Sequence, residues 1–228
     1  MEKLRTVSDA KRDFYTYHTR PINSVYRRVV EELMVEMHLL SVNVDFRADP
    51  IYCLGVVTSF DRFMEGYQPG KDKESIFMAL CQAVGGNARQ YRAWAESSIA
   101  LAKRLQSAQE LVSWMKLPTP APGEEQLSQT VQAIANNPNF KYSRLFAIGL
   151  YTLLEQADPE SVKDEQQRDR ALKELAEVLH LSEEKLKKDL DLYRGNLEKI
   201  SQLLSVIEDA LQAERKQREK RSQETTNA

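Results

Sequence analysis

The chain has 228 residues, of which 42% are hydrophobic and 29% are charged, the profile of a soluble globular protein with a core of its own. Its formal net charge of −2 argues against nucleic acid as the main partner, because phosphate-binding proteins usually carry a basic excess. The sequence has neither an apolar N-terminal run typical of a signal peptide nor the roughly 20 consecutive apolar residues that span a bilayer. Its two cysteines lie in apolar helical stretches, which favours free thiols in a reducing compartment.

The N-terminal part of the chain predicts two helices in succession. Ser8 is predicted to cap the first, which ends near His18. The second covers about residues 22–40, where apolar side chains recur every three or four residues: Ile22, Tyr26, Val29, Leu33, Met37 and Leu40. Arg27 and Arg28 lie near its positive N-terminal end, where the helix dipole disfavours them. Helix stability alone therefore gives no reason for these two arginines.

Two helices are far more apolar than the others and predict the centre of the fold. One begins at its cap, Asp49, and ends at Gly66, and the other covers residues 140–156. Each has a glycine in its middle, Gly55 and Gly149, where glycine costs about 1 kcal/mol relative to alanine unless close packing offsets it. We therefore predict that the two helices cross closely at these glycines.

Most of the remaining chain is also predicted to be helical, with no segment of strand periodicity. The further helices before the C-terminal one are predicted at residues 72–84, 88–105, 111–115, 126–136 and 158–180. The stretch 117–123 holds three of the eight prolines, which predicts a stiff, extended connector.

The last helix, capped by Ser182, carries a regular apolar seam. Its positions alternate steps of four and three residues, the period of coiled-coil packing: Leu186, Leu190, Tyr193, Leu197, Ile200, Leu204, Ile207 and Leu211. An antiparallel hairpin with the preceding helix would cover this seam, and a second chain is the alternative. We thus predict an all-α protein with a globular multi-helix bundle over residues 1–157. The bundle is followed by a coiled-coil-like hairpin over residues 158–211, which packs on it. A charged, partly disordered tail covers residues 212–228.

No catalytic, cofactor-binding or metal-binding pattern occurs in the sequence. His18, His38 and His180 are isolated from one another and from any metal-site spacing. Gly85 and Gly86 indicate the end of a helix rather than a phosphate-binding loop. We expect no enzymatic activity and no cofactor.

Two basic surface features are candidates for binding. The first is a partner-docking face of Tyr17, Arg20, Arg27 and Arg28, because arginine and tyrosine often anchor interfaces; the alternative is a solvated face above packed aromatic residues. The second is the tail, which predicts weak contact with an anionic membrane or, alternatively, only a solvated helix end. Its basic side chains are Arg215, Lys216, Arg218, Lys220 and Arg221.

Four stretches of the chain resemble the thylakoid formation protein family, also described as a photosystem II biogenesis factor of cyanobacteria and chloroplasts. They are TVSDAKRDFYTYHTRPINSVYRRVVEELMVEMHLL from Thr6, FRADPIYCLGVVTSFDRFMEGYQP from Phe46, IFMALCQA from Ile76 and FKYSRLFAIGLYTLLE from Phe140. The resemblance covers roughly residues 6–207; the proline-rich connector and the tail bear no family motif, so nothing carries over to them. The chain lacks the N-terminal transit extension of plastid members, which favours a cyanobacterial source.

The resemblance implies a non-enzymatic accessory role in the assembly and repair of photosystem II. The implied partners are thylakoid FtsH protease complexes, whose accumulation the family supports, with photosystem II assembly intermediates as further candidates. Peripheral contact with the thylakoid membrane, on its cytoplasmic side, is implied as well. The alternative function is the handling of chlorophyll or another pigment at the thylakoid surface. The family supplies no binding residues, so the docking face rests on this sequence alone.

Overall fold

A computed structural model describes residues 5–119 and 125–226, with side chains described up to residue 206. These residues form α-helices joined by short connections, and no β-strand occurs among them. The helices are α1 (Val7–Tyr17), α2 (Ser24–Ser41), α3 (Pro50–Phe63), α4 (Lys73–Ala83), α5 (Ala88–Leu105), α6 (Ala108–Lys116), α7 (Glu125–Ala135), α8 (Arg144–Ala157), α9 (Glu165–Val178) and α10 (Glu183–Thr226). The predicted all-α class is confirmed.

Helices α3 and α8 form the centre of the fold, with α5 packed against both. Every residue of α3 from position 50 to position 60 is buried. A Cβ atom at Gly55 would lie 1.7 Å from the carbonyl oxygen of Leu145, and one at Gly149 would lie 1.8 Å from that of Ile51. No side chain fits between these two backbones, so the predicted close crossing at the glycines is confirmed.

Side-chain caps set the first residue of several helices, and they explain where the predicted bounds are right or wrong. Asp49 caps α3 as predicted, since its carboxylate accepts two backbone N–H groups at 2.9 Å. The prediction of Ser8 as the cap of α1 is wrong. Thr6 takes that position, because its side chain and that of Asp9 each accept the backbone N–H of the other.

The start of α9 also differs from the prediction of a helix from residue 158. The carboxylate of Asp158 accepts the N–H of Ser161 and closes a turn. The helix begins only at Glu165, after Asp164 has accepted the N–H of Gln167. A side chain that was expected to start a helix therefore stabilises a turn ahead of it.

The chain divides into two compact units, the first of which ends at Asp191. In the first unit, an ion pair between Asp169 and Lys187 joins α9 to the start of α10. The first two seam residues, Leu186 and Leu190, are buried there. The second unit contains the remainder of α10. Coiled-coil pairing of the seam and the division of the chain at residues 157 and 211 remain predictions.

Candidate functional site

The core-facing side of α2 determines which of its residues are free for binding. The helix starts where the side chain of Asn23 accepts the N–H of Val25. Val30 is buried in place of the predicted Val29, which is only partly covered. The buried side of the helix comprises Tyr26, Val30, Leu33, Met34, Met37, His38 and Leu40. The opposite side, beginning at Ser24, is left to the surface.

An open groove with a volume of about 800 Å³ lies along this outer side, and we call it the α2 groove. Two of its lining residues come from other helices: Lys11 belongs to α1, and Arg144 lies at the start of α8. All other lining residues belong to α2. The complete lining is Lys11, Ser24, Arg27, Arg28, Glu31, Glu32, Val35, Glu36, Leu39 and Arg144.

Ion pairs hold most of the charges in the α2 groove in place. The Lys11 ammonium lies 2.7 Å from a carboxylate oxygen of Glu31, which also accepts a hydrogen bond from the Tyr15 hydroxyl at 2.9 Å. The hydrogen bond from Lys11 lowers the pKa of Glu31, whereas burial and the bond to Glu31 raise the pKa of Tyr15 to about 12. The Arg28 guanidinium donates to Glu32 at 2.9 Å on the exposed rim.

Two side chains of the α2 groove, Arg27 and Leu39, remain available to a ligand, although the charge of Arg27 already acts on Glu31 and helps to lower the pKa of that carboxylate. Arg144 pairs with Glu36, which links α8 to α2. Among the groove's four cations, Arg27 is then the one for which the described residues offer no ion pair. At the other end of the groove, the side chain of Leu39 is 59% exposed. The groove thus combines an available guanidinium with an available apolar side chain.

The structure separates the predicted docking face into two parts. Arg27 and Arg28 line the α2 groove together, whereas Tyr17 and Arg20 are not among its lining residues. Arg20 lies 2.7 Å from Asp72, a carboxylate whose side chain is only 3% exposed. Its guanidinium therefore neutralises a buried charge of the scaffold. Tyr17 is exposed at the end of α1.

The groups with the greatest chemical reactivity lie inside the fold. Burial lowers the pKa of His18, whose Nδ1 lies 3.0 Å from the Ser75 hydroxyl. Cys53 and Cys81 are free, buried thiols; burial raises the pKa of Cys53 and raises that of Cys81 to about 12. No group of His, Cys, Asp and Glu side chains suited to a metal ion occurs among the residues described.

The docking face predicted from the sequence includes two of the ten residues that line the α2 groove, Arg27 and Arg28. Leu39 was detectable, because it is an apolar residue that falls outside the buried stripe of α2. Lys11 lies in the first predicted helix, outside the predicted docking face. No local sequence pattern could place Arg144 in the groove, because its partner Glu36 lies 108 residues earlier in the chain. The basic side chains of the predicted tail lie outside the described side chains, and residues 120–123 of the predicted connector lie outside the described residues.

Comparison with known proteins identifies the family. The model described as thylakoid formation protein matches residues 6–222. This chain belongs to the thylakoid formation protein family. Protein Thf1 of Gloeothece citriformis is 64% identical over 219 residues, covering 96% of this chain and 97% of that protein. Protein Thf1 of Trichormus variabilis is 62% identical over 226 residues, covering 99% of this chain and 97% of that protein.

A solved structure is also similar to this thylakoid formation protein. It is a structure of Psb29, 44% identical in sequence with a TM-score of 0.79, and the match covers 94% of this chain and 98% of that one. The resemblance found in the sequence, to a cyanobacterial-type member of the family, is confirmed. In the described residues, no helix combines the length and the apolar character that a membrane crossing requires.

Proposed function

We propose that this thylakoid formation protein is a non-enzymatic accessory protein of photosystem II biogenesis and repair. It supports the accumulation or positioning of thylakoid FtsH protease complexes, and photosystem II assembly intermediates are further candidate partners. It acts peripherally, on the cytoplasmic side of the thylakoid membrane. Family membership and the likeness to Psb29 support the link to photosystem II.

The α2 groove is the observation that carries the adaptor role. Small-molecule sites are usually concave and mostly apolar. This groove is open along one helix rather than enclosed, and seven of the ten residues that line it are charged. Arginines in such positions often anchor protein interfaces, and Arg27 has no ion pair among the described residues. A protein surface is therefore the ligand that suits the groove best.

Affinity purification from gently solubilised cyanobacterial thylakoids tests this proposal. The tagged wild-type chain is expected to co-purify FtsH subunits, and the double variant R27E/R28E is expected to lose them. The matched control is R89E/K103E, which makes the same change of charge at two exposed residues of α5. Failure of the wild type to retain FtsH subunits would contradict the proposal. Retention by R27E/R28E would move the docking face away from α2.

The double variant should fold, so loss of binding can be interpreted. R27E and R28E each place a second carboxylate four residues from a glutamate, Glu31 or Glu32, and each pair repels by about 0.2–0.5 kcal/mol. Carboxylates near the N-terminal end of α2 interact favourably with the helix dipole, by about 0.3–1 kcal/mol. The two effects nearly cancel, and circular dichroism is expected to show unchanged helicity.

Pigment handling, the alternative from the sequence, stays an open prediction. Two of the three histidines of the chain, His18 and His38, are buried within the fold. Chlorophyll bound to the purified protein would favour this alternative, and an absorption spectrum of the purified chain is the measurement.

A further inference from the structure

We infer that the α2 groove receives an amphipathic helix of the partner protein, with a carboxylate against Arg27 and an apolar side chain against Leu39. This inference rests on the proposed function, because the partner is taken to be a subunit of the FtsH complex. To the proposed function, the inference adds the secondary structure, the charge and the polarity of the partner segment that binds in the groove.

The charges of the α2 groove select an acidic ligand at one end. Glu31, Glu32 and Glu36 each pair with one cation of the groove. The guanidinium of Arg27 forms no such ion pair, and it lies within the first two turns of α2, near the positive end of the helix dipole. A carboxylate at this point would gain a charge-assisted hydrogen bond without displacing an existing ion pair.

The opposite end of the α2 groove is apolar. Val35 is partly covered and Leu39 is 59% exposed, one turn further along the same face. Arg27 and Leu39 are twelve residues apart, or about 18 Å along a helix. A complementary segment therefore carries its carboxylate and its apolar side chain about 18 Å apart.

The surroundings favour a helix over an extended strand. An extended segment binds best where a sheet edge offers backbone N–H and C=O groups, and the described residues contain no strand. A helix satisfies its own backbone hydrogen bonds and needs only side-chain contacts. From Ser24 to Leu39 the groove is about 22 Å long, which matches four turns of helix.

Site-directed photo-crosslinking measures the form of the bound segment. p-Benzoyl-phenylalanine replaces Ser24 in one full-length variant and Leu39 in another, each irradiated with purified FtsH complexes and analysed by mass spectrometry. The control is the same replacement at Leu117, which is 79% exposed outside the groove. A bound helix places the two cross-linked partner residues about 15 positions apart. An extended segment places them about seven positions apart, which would overturn the inference.

A charge exchange tests the contact at Arg27. R27E is expected to reduce the Leu39 cross-link at least tenfold, and a basic substitution of the partner carboxylate nearest to the Ser24 cross-link is expected to restore it. L39E should reduce binding to a similar extent, whereas L117E should leave it unchanged. Unchanged binding by both R27E and L39E would overturn the inference while the proposed function stands. If the wild-type chain does not bind the complexes at all, the proposed function fails, and the inference fails with it.

Discussion

The glycine crossing of α3 and α8 gives the sharpest prediction for stability. In G55A, the new Cβ would lie 1.7 Å from the carbonyl oxygen of Leu145 and 2.9 Å from the backbone nitrogen of Gly149. Both neighbours are backbone atoms, so they can move away only if a whole helix moves. The Cβ–oxygen distance must increase by more than 1 Å to reach 3.0 Å, the shortest distance that Cβ contacts normally have. Overpacking of this kind costs about 3 kcal/mol, the upper end of the usual range.

The helix propensity of alanine offsets part of this loss. Alanine is about 1 kcal/mol better than glycine inside a helix, so G55A should lose about 2 kcal/mol or more of unfolding free energy. For a protein of this size, that loss lowers the melting temperature by about 4–8 °C. Urea unfolding followed by circular dichroism measures the free energy, and a thermal scan measures the melting temperature.

Gly195 provides the matched control, because a Cβ there meets no heavy atom within 4 Å. G195A should therefore be unchanged or gain up to about 1 kcal/mol. The double variant G55A/G149A should lose less than the sum of its single variants, since one separation of the helices relieves both contacts. A G55A protein as stable as the wild type would refute the close crossing.

Three further predictions follow from the buried and capping groups. R20A leaves the buried carboxylate of Asp72 without its ion pair, and urea unfolding should show a loss of about 1–3 kcal/mol; a loss below 0.5 kcal/mol would show that Asp72 does not depend on Arg20. Hydrogen bonds from the backbone N–H and the side chain of Thr6 lower the pKa of Asp9 to about 2, so this carboxylate stabilises the fold above its ordinary pKa of 3.8. That stability is lost as the pH falls from about 4 to 2. The unfolding free energies of the wild type and D9N should therefore differ at pH 7 and converge at pH 2. A difference that stays constant with pH would contradict the capping box. Burial raises the pKa of Cys81 to about 12, so a colorimetric thiol reagent at pH 8 should react at least a hundredfold faster in urea than with the native protein, and equal rates would show an accessible thiolate.

Local patterns in the sequence were enough to predict much of the fold. The interior positions of Gly55 and Gly149 in very apolar helices predicted the packing of α3 on α8, because glycine in such a place needs a close neighbour. Caps were harder to predict. Thr6 and Ser8 are both good N-caps, and only the reciprocal bonds with Asp9 decide between them.

The candidate site was only partly predictable, because its geometry depends on contacts between distant residues. Arg27 and Arg28 stood out as cations that helix energetics does not explain, and both line the α2 groove. Arg20 was placed on the same docking face, but its partner Asp72 lies 52 positions further along the chain. Arg144 likewise reaches the groove only because α8 starts beside α2. No periodicity within one helix can reveal such pairs.

Direct binding between purified components tests the adaptor proposal most directly. The purified chain is titrated into purified FtsH complexes in mild detergent, and complex formation is followed by light scattering. The account predicts saturable binding that R27E/R28E weakens at least tenfold and that R89E/K103E preserves. Absence of binding by the wild-type chain would contradict the adaptor proposal, whereas equal binding by R27E/R28E would contradict the placement of the docking face on α2.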